Sequence, residues 1–117
     1  MTTAPNADHD QLAGSVAPHF LARQLGLTLA ELAKLAGVPR RQINAEAATP
    51  RAEAALRPLA RILAVATEMM GGGEVAVWFM HNPIPGFSGK TTRDLVEQGR
   101  AGEVLDYLGA VKAGVHA

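Results

Sequence analysis

The sequence predicts an all-α fold made of two small helical subdomains, and three observations predict it. Apolar residues recur at helical spacing through most of the chain beyond residue 17. Pro, Thr and Gly fall where helices start and stop. The single Val-rich run, EVAVWFMH at residues 74–81, has no second run to pair with, and a lone strand has no sheet to join, so this segment is assigned to a helix as well.

The elements follow in order. Residues 1–16 are polar and small and are expected to be a mobile N-terminal segment. Phe20, Leu21, Gln24 and Leu25 set the first helical pattern from Pro18, and Gly26 stops it. Thr28 is an N-cap for LAELAKLA, whose apolar face is Leu29, Leu32, Ala33 and Leu35. Gly37 breaks that helix, and Pro39 suits the first position of a short helix, PRRQINAEA. Thr49-Pro50 opens a longer one reaching about Met70, with Leu56, Leu59, Ile62, Leu63, Ala66 and Met69 on one stripe. Pro58 lies inside it, so this helix either kinks there or begins later.

Gly71-Gly72-Gly73 marks a hinge that divides residues 17–70 from residues 71–117. Asn82-Pro83 ends the helix after the hinge, and residues 83–90 form a loop. Thr91 and Asp94 have capping-box spacing at the start of TTRDLVEQ, which Gly99 closes. A last helix runs from about Ala101 to Ala113 with Val104, Leu108, Val111 and Val115 in register. Trp78 is expected in the core beneath the last two helices.

Composition narrows the function. The 117 residues are 48% hydrophobic but only 4% aromatic, so small side chains must let helices approach closely. Zero formal net charge argues against a polybasic nucleic-acid or membrane binder. The absence of Cys removes disulfides and thiolate metal sites and fits a reducing compartment. The N-terminus lacks the pattern of a secretory signal, and no apolar stretch reaches the roughly 18 residues of a membrane span. A cytoplasmic, non-membrane protein is expected.

Catalytic and cofactor signals are weak throughout. His9, His19, His81 and His116 have no metal-ligand spacing, Ser15 and Ser88 have no base in a recognisable motif, and the carboxylates are spread over solvated faces. Gly89-Lys90-Thr91-Thr92 is not a phosphate loop, because Ile84 stands where the first Gly is required. No enzyme activity, metal or cofactor is expected. Phe87, flanked by Gly86 and Ser88, is either tucked back as a loop anchor or offered to a partner.

Residues 27–47, LTLAELAKLAGVPRRQINAEA, resemble the helix-turn-helix of Xre-type regulators, with Ala33 at the crossing, Gly37 in the turn and Ile43 inward. In a DNA reader the second helix enters the major groove, leaving Arg40, Arg41, Gln42 and Asn44 for phosphate and base contacts. The alternative is a helical corner that binds no DNA. Five Arg against Glu46 and Glu53 between residues 40 and 61 supply local positive charge.

The two halves together resemble the Xre/MbcA/ParS antitoxins. Trp78, Asn82-Pro83, Gly89, Thr91-Thr92 with Leu95, Gly99, the last helix and Gly114 carry the resemblance, and Thr92 stands where Pro is common. It implies an Xre-like helix-turn-helix domain over residues 17–70 and a toxin-binding domain over residues 71–117. The partner it implies is a RES-domain toxin that degrades NAD or transfers its ADP-ribosyl group, with the antitoxin C-terminus filling the NAD pocket. Gly114, Val115, His116 and Ala117 are slim enough for that role, with Tyr107, Lys112 and Phe87 as further toxin contacts. The resemblance also implies a dimer, a hetero-oligomer with the toxin, and operator DNA as a second partner.

Overall fold

The computed structural model describes residues 16–114, so the N-terminal segment other than Val16, and Val115, His116 and Ala117, lie outside the described residues. Within them the chain is mostly helical with no strands. The helices are α1 (Pro18–Leu25), α2 (Leu29–Ala36), α3 (Pro50–Met70), α4 (Gly72–His81), α5 (Thr92–Glu97) and α6 (Ala101–Lys112).

Local chemistry accounts for their ends. Thr28 Oγ1 accepts from the Glu31 amide at 3.0 Å while the Glu31 carboxylate accepts from the Thr28 amide at 2.8 Å, closing a capping box on α2. Thr91 and Asp94 repeat the device on α5, and the Thr49 hydroxyl accepts from the Ala52 amide at 3.2 Å on α3. Gly26 ends α1 at φ 77°, a conformation that costs other residues steric strain. A Cβ added there would stand 3.4 Å from the Ala76 Cβ, in van der Waals contact with α4. Pro58 does not interrupt α3, which runs continuously through it.

The short helix expected from Pro39 is replaced by a single 3₁₀ turn, Arg40–Gln42. Three competing interactions explain this. The Asn44 side-chain oxygen accepts from the amides of Glu46 and Ala47 at 2.9 and 2.8 Å, folding the backbone into a turn. Ile43 is extended and bridged to Ala48. The Ala45 carbonyl is used elsewhere, accepting from the His19 amide at 2.9 Å and so satisfying a free donor at the start of α1.

Only Gly71 separates α3 from α4, whose axes turn by 118°. Gly72 and Gly73 belong to α4. One hydrophobic core crosses this bend, running from Leu21, Leu25 and Leu32 through Leu59 and Ile62 to Val75, Phe79, Leu95, Val104 and Leu108. Met69, expected on the apolar stripe of α3, is exposed instead. Among the described residues no single helix is long and apolar enough to cross a membrane.

Candidate functional site

The second half is built around α6. Val104 and Leu108 are buried and fix one face of that helix against the core. Its start is fastened by Arg100, whose guanidinium donates to both Glu103 carboxylate oxygens at 3.0 and 2.9 Å and lies 5.4 Å from the centroid of the Phe87 ring. The same hydrogen bonds hold the Glu103 carboxyl below its usual range. Phe87 is therefore tucked back, half-buried under Arg100.

Loop 83–90 is closed by the Ile84 amide donating to the Lys90 carbonyl at 2.8 Å. Its buried anchor is Ile84, a residue whose apolar character among prolines and glycines was the available signal. Trp78 packs on the core only from its edge, half-buried; its neighbour Phe79 is the aromatic residue that the core encloses. Thr92 is fully buried at the first position of α5, and its hydroxyl has no hydrogen-bond partner.

The proposed toxin-contacting residues do not form one cluster. Phe87 lies against the start of α6 and Gly114 follows its end, roughly 18 Å away at 1.5 Å per residue. Tyr107, between them, is half-buried against the core. Lys112 is exposed and ion-paired with Glu68 of α3. Gly114, at φ 76°, donates its amide to the Val111 carbonyl at 3.0 Å and turns the chain out of α6. Val115, His116 and Ala117 lie outside the described residues.

No family model, curated protein or solved structure matches this chain.

The residues proposed for DNA contact are largely occupied. The Arg40 guanidinium donates to the Ile43 carbonyl, the Gln42 side chain accepts from the Thr49 hydroxyl at 3.3 Å, and the Asn44 side chain holds its own turn. Of these four, only Arg41 is exposed with no side-chain hydrogen bond or ion pair to another described residue. Residues 39–47, expected to form the helix that enters a major groove, hold one 3₁₀ turn, and the next helix is α3, from Pro50.

Two features were missed from the sequence. Arg93 of α5 reaches Glu31 of α2 at 3.5 Å and Met80 of α4 at 3.4 Å, tying a capping box in the first half to the second. Arg57 and Arg61 flank an open groove of about 400 Å³ between α3 and the α5–α6 junction. Their one-turn spacing on α3 was legible, but the groove depends on where α6 packs. Among the described residues no three His, Asp or Glu side chains come together as a metal site.

Proposed function

We propose that this chain is an antitoxin that binds and neutralises a RES-domain, NAD-consuming or ADP-ribosylating toxin. The observation that carries the reading is the order and spacing of Trp78, Asn82-Pro83, Gly89, Leu95, Gly99 and Gly114, the pattern through which this half resembles the Xre/MbcA/ParS antitoxins. Several of these residues have a physical task compatible with presenting the end of α6. The break at Asn82 turns the chain out of α4, the capped α5 and Gly99 set the angle at which α6 leaves, and Gly114 redirects the backbone beyond it.

Inhibition then works by exclusion. The slim residues from Gly114 onward enter the toxin's NAD pocket, while α6 and the exposed edge of α3 bear on its rim. No chemistry by this chain is required. The test is to mix the purified chain with the RES-domain protein encoded beside it and follow NAD consumption. Stoichiometric loss of turnover is expected; undiminished turnover at excess antitoxin would refute the reading.

Operator binding is a separate proposal resting on the exposed Arg41. A mobility-shift assay with upstream DNA tests it, and binding that ignores salt and an Arg41→Ala change would sink it.

A further inference from the structure

Arg57 and Arg61 lie one turn apart on α3, a spacing that places their side chains side by side. Between α3 and the α5–α6 junction they border the groove of about 400 Å³, with Pro58, Leu105, Gly99 and Gly102 among its lining. The helices α3 and α6 run in the same direction here, since Arg61 shares the groove with Leu105 and Glu68 pairs with Lys112 further along both helices. Arg93, Arg100 and Lys112 all have carboxylate partners, whereas neither Arg57 nor Arg61 forms an ion pair among the described residues.

Two adjacent guanidiniums present planar forks of donors suited to a carboxylate. Pro58 and Leu105 offer apolar surface beside them, and the absence of side chains at Gly99 and Gly102 leaves room for a peptide backbone. The positive charge is local. Glu53 precedes Arg57 by one turn of α3, and the exposed Asp106 follows Gly102 by one turn of α6. A nucleic-acid strand, with its continuous run of phosphates, would meet these carboxylates; a single acidic side chain would not.

From this charge complementarity we infer that the groove is a docking site for an acidic segment of a partner protein. One Asp or Glu carboxylate lies between Arg57 and Arg61, and an adjoining apolar side chain rests on Pro58 and Leu105. The groove borders the start of α6, roughly 17 Å from its far end. The inference stands independently of the toxin reading.

The test is an amide NMR titration of the full chain with a blocked peptide, acetyl-Gly-Leu-Glu-Gly-amide. Its Gln counterpart, inorganic phosphate and a short DNA duplex serve as comparison probes. Saturable shifts at Ala54, Gly99 and Gly102 are expected with the Glu peptide, and the R57Q/R61Q variant should weaken its binding by about tenfold. Both arginines are exposed, so the variant's spectrum away from the groove should be unchanged; the single substitutions are read the same way if the double variant loses its fold. The inference is overturned if the Glu peptide causes no shifts, if the Gln peptide, phosphate or DNA moves these amides as strongly, or if R57Q/R61Q binds like the parent.

Discussion

Replacing Thr92 by Val should stabilise this protein, although Thr is the polar residue expected near a helix start. Thr92 is 0% exposed and its hydroxyl is unpartnered. Burying a hydroxyl without a hydrogen bond costs about 1–3 kcal/mol. Valine keeps the β-branched shape and puts a methyl group where the hydroxyl stood. The capping box is untouched, because Thr91 supplies the hydroxyl that accepts from Asp94. Allowing a few tenths of a kcal/mol for repacking, the net gain is about 1 kcal/mol, or roughly 5 °C in melting temperature for a domain of this size. Thr92→Pro should also be tolerated, since the first helical position needs no amide donor. Urea and thermal unfolding followed by circular dichroism measure both variants. A Thr92→Val protein less stable than its parent by about 1 kcal/mol or more would mean that the Thr92 hydroxyl is hydrogen-bonded after all, because that is the signature of losing a satisfied hydrogen bond.

Phe79→Ala should cost about 3–5 kcal/mol by opening a cavity in the shared core, and the half-buried Trp78 should cost less; equal losses in urea unfolding would contradict the burial difference. Gly26→Ala should destabilise by about 1–2 kcal/mol, from left-handed backbone strain at φ 77°, measured as a lowered urea midpoint with an unchanged slope. The Thr28 amide holds the Glu31 carboxyl below its ordinary value of 4.5, and the Thr91 amide holds Asp94 below 3.8. Both folded values are depressed, so the stability these caps contribute is present above the ordinary carboxylate values and is lost as pH falls through the lower folded values. The E31Q/D94N variant should show a flatter loss of stability below about pH 4.5 than the parent; parallel pH profiles would count against the capping account.

Much of the fold was legible because helix ends are local chemistry. Thr28, Thr49 and Thr91 as caps, Gly26 and Gly99 as stops, and Asn82 as a break each act through their own backbone neighbourhood. Residues 39–47 depart from their sequence pattern for the opposite reason. PRRQINAEA has helical propensity, but Asn44 offers its own turn and the start of α1 draws on the Ala45 carbonyl across a gap of 26 residues. Periodicity gave Trp78 and Phe79 no order of burial; the packing of α4 on α1 and α3 turns Phe79 inward. At the candidate site, the sequence named the residues of α6 without revealing that Lys112 is paired with Glu68. The groove beside Arg57 and Arg61 arises only when α6 lies along α3, a relation between segments 44 positions apart at Glu68 and Lys112 that no local pattern encodes.

Occlusion of the NAD pocket is tested most sharply by a truncation that ends the chain after Gly114. Gly114 donates back to Val111 and closes α6, so the shortened protein should keep its melting temperature. It should no longer suppress NAD consumption by the RES-domain toxin at concentrations where the full chain inhibits completely. Full inhibition by the truncated, folded protein would contradict occlusion of the NAD pocket by Val115, His116 and Ala117.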